Sequence, residues 1–183
     1  MAIACLHVPH LALRIALFDQ PELDGLPLIL SNPESGRAVV VDATDEAASR
    51  GIRPGMTLRE STALAPDAVI LMPNPAMETR TIEEITTRLE TLSPLVEVDD
   101  QEQGCWYIDL RGLDRHHPTT TAATRKLLEC IAPILRGRAG LATTKFTARA
   151  AASISSPGEV RAVPKGTEGA FLAGAPVTLL PFP

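Results

Sequence analysis

Aromatic residues are scarce in this 183-residue sequence: four Phe, one Trp and one Tyr. A core cannot rest on ring packing and must be built from Leu, Ile, Val and Ala. Cysteine is also rare. Cys5, Cys105 and Cys130 are scattered and odd in number, which excludes a disulfide framework and suits reduced thiols in a cytoplasm. No apolar run reaches the roughly 18 residues that span a bilayer, so no membrane partner is expected. The N-terminal apolar stretch lacks a basic flank and is broken by His7, Pro9, His10 and Arg14, unlike a secretion signal. Positive charge is in deficit, with 17 Lys and Arg against 22 Asp and Glu and a net charge of −5. That argues against strong capture of nucleic acid by the chain as a whole, while leaving room for a local basic patch.

What is present is ordinary for a globular chain, 45% hydrophobic and 21% charged. Ala2 to Val8 reads as a buried strand. Leu11, Ile15 and Phe18 then share one face of a short helix behind Pro9. "PLIL" and "AVVV", joined by "NPESGR", read as a hairpin. "DATDEAASRG" reads as a short helix ending at Gly51, and Thr57 with Glu60 as a capping box for the next. "DAVIL" is a strand. Residues 77–92 form the clearest helix, with Ile82, Ile85, Leu89 and Leu92 at helical spacing. "LVEVDDQEQGCWYIDL" is strand, turn and strand; residues 120–135 are a second long helix. "AGLAT" is a strand, followed by a helix capped by Thr143 or Thr144, then a loop and a small helix.

From about residue 69 the order is β-α-β-β-α-β-α. With the first strand added, this predicts an α+β protein with a mixed sheet and two packed helices, the strand 2–8 lying beside Trp106 to Leu110. The expected organisation is one domain from residues 1–10 and 67–165, a small inserted lobe over 11–66, and the start of another domain over 166–183.

Several side chains invite chemistry. Cys5, His7, His10 and Cys105 have the ligand types of a zinc site, yet there is no paired Cys-x-x-Cys knuckle. The other reading is a buried thiol with histidines at a strand end. His116 and His117 precede Pro118 and suit a solvated helix start. Arg50, Arg53 and Arg59 form either a solvated face or a nucleic-acid contact. Lys145 and Arg149, four apart on one helix face, are either surface charges or phosphate contacts.

The order of several blocks resembles the N-terminal half of Y-family DNA polymerases, the UmuC-like translesion enzymes. "LHVPHLAL" sits where that family has its first strand and first metal motif. "DQPELDGLPLIL" is similar to "N-P-E-L-x-G-x-P-V-x-V". "DEAASRGIRPGMTLRESTALAPDAVIL" is similar to "Y-E-A-R-x-x-G-V-R-x-x-M-x-x-x-x-A-x-x-x-C-P", and "LATTKFTARAAAS" to "x-A-x-N-K-x-L-A-K-x-A-S". "FLAGAPVTLLP" resembles the beginning of the thumb. The resemblance implies a palm with inserted fingers, and a thumb and little finger beyond Pro183.

It also implies what is missing. Two-metal phosphoryl transfer needs hard oxygen ligands. The family's first carboxylate matches Pro9 and its next acidic position matches Leu11. Its Asp-Glu pair matches Gly104 and Cys105. Asp109 falls outside the metal pair. The aromatic and arginine that grip the triphosphate match Asp45 and Ala48, and the gate beside the sugar matches Leu13 and Arg14. Lys145 keeps the palm lysine position, with Arg149 one turn on; Arg53 is the third candidate phosphate contact. "L-x-V-P-x-L" and "G-x-W-x-I-D-L-R-G-L" resemble the ImuB-type branch, whose members lack the catalytic carboxylates.

The expected function is therefore a non-catalytic accessory factor in error-prone translesion synthesis and DNA damage tolerance, with no cofactor. Its expected partners are a DNA primer-template and an error-prone replicative-type polymerase, sliding clamp or RecA-like accessory protein. Two alternatives stand beside it. One is an active polymerase or nucleotidyltransferase using magnesium on displaced acids, Asp99, Asp100 and Glu102. The other is a small metal- or thiol-dependent α/β enzyme that reuses the palm, with Cys105 and His7 as its site.

Overall fold

A computed structural model describes residues 2–32, 38–113 and 117–176. Most of the expected "NPESGR" turn, His116 and nearly all of "PVTLLPFP" lie outside the described residues. The chain divides into two compact units, residues 1–9 with 82–183, and residues 10–81.

The larger unit is built on a five-stranded mixed sheet in the order β5-β6-β1-β7-β8. The strands are β1 (Ile3–His7), β5 (Val96–Val98), β6 (Cys105–Asp109), β7 (Arg138–Ala142) and β8 (Val160–Ala162). β1 runs antiparallel to both β6 and β7, while β7 and β8 are parallel. The expected neighbour relation holds: Cys5 lies opposite Tyr107, and His7 opposite Cys105.

Strand alternation sends successive side chains to opposite faces. Ile3, Cys5, Cys105, Tyr107 and Ala142 pack with Ala148, Ala151 and Ala152 of α6 (Lys145–Ser153). Phe171 of α7 (Glu168–Ala173) covers the same cluster. On the alternate register, Trp106 is fully buried and donates from Nε1 to Thr86 Oγ1 at 2.9 Å. Thr86 belongs to α4 (Pro75–Glu90). The indole thus buries its large apolar area without leaving its N–H unpaired.

Helix starts follow from threonine caps. Thr119 Oγ1 accepts from Ala122 N at the head of α5 (Thr120–Leu128), and Thr144 Oγ1 from Thr147 N at the head of α6. α5 is shorter than the expected 120–135. Pro133 cannot continue a helix, and a 3-10 turn over Pro133–Leu135 takes over. β8 was not expected; its three residues bond only to β7.

The smaller unit has a three-stranded sheet in the order β3-β2-β4, from β2 (Leu28–Ser31), β3 (Val40–Ala43) and β4 (Val69–Leu71). β2 and β3 form the expected antiparallel pair. β4 pairs in parallel with β2, which corrects the boundary expected at residue 67. Its main-chain bonds go to this sheet, so residues 67–81 belong to the smaller unit.

Around this sheet sit α1 (Leu11–Ala16), α2 (Asp45–Ser49) and α3 (Leu58–Leu64). Ile29, Val40, Ala43, Ala47, Ile52 and Ala65 form its core. The Thr57–Glu60 capping box is present, and Gly51 follows α2 at φ +93°. Phe18 lies beyond the end of α1 and is exposed, not on its buried face.

Gly140 of β7 permits the closest approach in the larger unit. A Cβ there would stand 1.9 Å from Ala148 O and 2.5 Å from Ala152 N, both backbone atoms of α6. Backbone cannot step aside as a flexible side chain can. Gly140→Ala is expected to lower unfolding free energy by about 3 kcal/mol, read from urea denaturation, whereas Gly169→Ala, in open space, should cost far less.

Candidate functional site

The end of β1 and the start of β6 define the candidate site of the larger unit. Val8 N donates to Gly104 O at 2.8 Å, carrying the chain at Pro9 beside Gly104 and Cys105. Gly104 turns at φ +81°, a conformation that favours glycine. Pro9, Gly104 and Cys105 are thus brought together, and none offers a hard anionic oxygen. Cys5 Sγ and Cys105 Sγ lie 3.4 Å apart, both fully buried. The thiol contact with Cys105, and then burial, push the Cys5 pKa up, so it stays a thiol.

Two of the three candidate acids near this corner, Glu102 and Asp99, are already engaged. Glu102 Oε1 lies 3.1 Å from His7 Nε2, and its other oxygen pairs with Arg149. The His7 hydrogen bond, with help from Arg149 and against burial, holds the Glu102 carboxyl below its ordinary value. Asp99 Oδ1 accepts the backbone N–H groups of Gln101 (2.8 Å) and Glu102 (3.1 Å), and Oδ2 accepts the Tyr107 hydroxyl (3.0 Å). Burial opposes ionisation of Asp99, but these donors outweigh it and lower its pKa. Burial, followed by the neighbouring thiols, raises that of Tyr107. Asp109 is held by Arg111 at 2.8 Å.

Lys145 and Arg149 share one face of α6, as their spacing implies. Lys145 Nζ contacts both carboxylate oxygens of Glu97 at 2.5 Å and stands 5.4 Å from the Tyr107 ring centroid. Arg149 meets Glu102. The sequence reading missed these partners. Glu97 lies opposite Tyr107 in the β5–β6 ladder, and only that pairing reveals it.

Magnesium does not fit the residues present. Hard-cation sites need converging carboxylates with free lone pairs. Here Glu102 is spent on two cationic or N–H partners, and Asp99 on three donors. Among the described residues, no group of three or more His, Cys, Asp or Glu is placed to hold a metal ion. Cys5 and Cys105 converge, but His7 faces Glu102 and its Nδ1 is buried with no hydrogen-bond partner among the described residues.

In the smaller unit, His10 Nδ1 lies 2.9 Å from Asp42 Oδ1 and Nε2 lies 3.7 Å from Asp45. The Asp42 bond raises the His10 pKa against partial burial. Asp45, at the expected tyrosine position, thus faces a histidine. Arg14 is paired with Asp24 at 2.5 Å. Arg53 donates to Ala48 O (2.5 Å) and Ile52 O (2.7 Å), and Arg50 pairs with Asp67. Arg53 therefore closes its own loop. His117 donates its backbone N–H to Leu113 O.

A mixed sheet with helices, and a corner where β1 ends beside the β5–β6 turn, define a polymerase-palm class of fold. The chain belongs to the impB/mucB/samB family, whose pattern matches residues 8–153. It is 32% identical over 168 residues to a DNA polymerase IV of Caulobacter vibrioides, covering 89% of this chain and 40% of that protein. It is 30% identical over 165 residues to DNA polymerase IV 1 of Mesorhizobium japonicum, covering 88% and 37%. The chain thus spans less than half the length of these relatives. In structure it matches DinB from Sulfolobus solfataricus with a TM-score of 0.83 at 19% identity, covering 99% of this chain and 53% of that one. An insertion ternary complex of Dbh DNA polymerase gives a TM-score of 0.82 at 18% identity, over 99% and 54%. At such identities the likeness establishes the fold.

The Glu102 pairing predicts a pH signature. Its carboxyl has a lowered folded-state pKa, so its stabilisation is present above its ordinary value near 4.5 and is lost as pH falls through the folded value. Urea denaturation of wild type and Glu102→Gln between pH 7 and pH 3 should show a gap that narrows on acidification. A gap that widens would contradict the pairing.

Proposed function

We propose that this chain is a palm and fingers region of a Y-family-like protein that serves DNA damage tolerance without catalysing nucleotide transfer, as the ImuB-type resemblance implies. In this reading residues 1–9 and 82–165 are the palm, 10–81 the fingers, and 166–183 the start of a thumb. One observation supports the proposal: the corner formed by β1 and β6 brings together Pro9, Gly104 and Cys105, the positions that the family resemblance matches to the metal-binding carboxylates, and none of the three carries one. Adjacent Glu102 and Asp99 are committed to His7, Arg149, Tyr107 and backbone donors. A backbone carbonyl could contribute an oxygen but no net charge, and a neutral thiol is a poor ligand for magnesium.

Its role is to hold DNA or partner proteins. Primer-template is the first partner, met through Lys145, Arg149 and Arg53. An error-prone replicative-type polymerase, a sliding clamp or a RecA-like protein is the second class. Cytoplasmic residence is part of the same proposal. No helix among the described residues is long and apolar enough to cross a membrane.

The relatives' name, DNA polymerase IV, favours a second reading in which Asp99, Asp100 and Glu102 supply the ligands. Primer extension with magnesium or manganese, on this chain and on any longer form containing it, separates the two. No templated incorporation is expected. Incorporation that disappears in Asp99→Ala, Asp100→Ala, Glu102→Ala would establish the second reading. Introducing acids with Pro9→Asp, Gly104→Asp and Cys105→Glu should remain insufficient, because Asp45 and Ala48 are the residues that the family resemblance matches to the triphosphate grip.

A further inference from the structure

We infer that Glu97 and Glu102 act as internal stand-ins for phosphate, keeping Lys145 and Arg149 of α6 occupied until a phosphate ligand displaces them. This rests on the phosphate-contact reading of those two cations. The geometry gives it content beyond that reading. Both oxygens of Glu97 reach the Lys145 ammonium at 2.5 Å, as two phosphate oxygens would. Glu102 occupies Arg149, and a guanidinium is suited to carboxylate and phosphate alike.

The two clamps differ in strength. The Lys145 and Glu97 side chains are 48% and 60% exposed, and those of Arg149 and Glu102 are 30% and 32% exposed. Solvent screens the first pair strongly, so it opens at little cost. The second is more sheltered, and Glu102 is further tied to His7. An incoming phosphate must therefore break an ion pair and tolerate the carboxylate that it displaces. Removing the acid's charge helps binding twice, by freeing the cation and by ending the repulsion.

The amides of Glu97→Gln and Glu102→Gln keep the side-chain shape, and the amide oxygen of Glu102→Gln remains an acceptor for His7. Two probes distinguish the sources of phosphate: a labelled primer-template duplex, and a labelled nucleoside triphosphate without metal. Binding is followed by fluorescence anisotropy from low to moderate salt. Glu97→Gln is expected to tighten binding by about two- to five-fold, the scale of an exposed pair. Glu102→Gln should give about tenfold, as befits a more sheltered pair. On the duplex, each cation newly engaged should steepen the slope of log affinity against log salt by about 0.9. Tightening for the duplex alone assigns the site to backbone phosphate. Tightening for the triphosphate alone assigns it to nucleotide.

Suppose instead that wild type binds, Lys145→Ala weakens it, and neither glutamine variant tightens either probe. The stand-in inference is then overturned while the phosphate reading survives. If binding is absent throughout, or indifferent to Lys145→Ala with Arg149→Ala, the phosphate reading itself fails. Glu97 is exposed, so Glu97→Gln remains a fair test even if Glu102→Gln does not fold.

Discussion

Strand β1 is bonded along both edges, antiparallel to β6 on one side and to β7 on the other, and its five residues are buried. Because side chains alternate with a period of two, this double pairing fixes what each face of the sheet can contain. Ile3, Cys5 and His7 go to the α6 side with Cys105 and Tyr107. A one-residue slip would exchange that polar corner with the register of Leu6 and Trp106 and strand an indole N–H away from Thr86. Gly140 then sets how closely α6 can approach, so the positions of Lys145 and Arg149 follow from a strand register and one absent side chain.

That approach explains the electrostatics of the face. α6 brings two cations over a sheet edge that carries Glu97 and the Asp99–Glu102 turn, and each cation finds an acid. A partly buried charge is favoured when it is paired and hydrogen-bonded. Glu102 meets this condition twice, through His7 and Arg149, and Asp99 through three donors. The net charge of −5 gives no hint of this local balance, since a total charge does not describe a surface.

Much of the larger unit could be read from the chain because its signals are local. The buried run at residues 3–7, the threonines before α5 and α6, and the four-residue spacing of Lys145 and Arg149 are each visible in a few residues. So is the Thr57–Glu60 box in the smaller unit. β4 was assigned to the wrong sheet because "VIL" carries no mark of its partner; a parallel pairing with β2 across some forty residues is a tertiary choice. β8 was missed for a related reason. Its burial pattern is weak, and only β7 defines it as a strand. The Glu97–Lys145 and His10–Asp42 contacts join residues 48 and 32 positions apart, and nothing in a single sequence ties such positions together. The family resemblance singled out Pro9, Gly104 and Cys105, but could not foresee the ion pairs that stand beside them.

On the proposed reading this fold stands without the family's usual carboxylates, and the charges around the corner bear on how it can. A two-metal corner holds several negative charges close together, and without cations they repel one another and raise one another's pKa. Such a site sacrifices stability for function. On the proposed reading the corresponding positions of this chain carry a proline, a turn glycine and a buried cysteine, none of which brings a carboxylate. Of the acids nearby, Glu102 and Asp99 are each matched by donors or a cation from the same unit. The same argument separates loss of chemistry from loss of structure. Pro9, Gly104 and Cys105 sit at the ends of strands whose register is set elsewhere, by Ile3 to His7 against β6 and β7. On the proposed reading, a corner without carboxylates leaves that register, the α6 approach and the two cations in place. On that reading Lys145 and Arg149 have no metal-bound triphosphate to face, and Glu97 and Glu102 supply their partners.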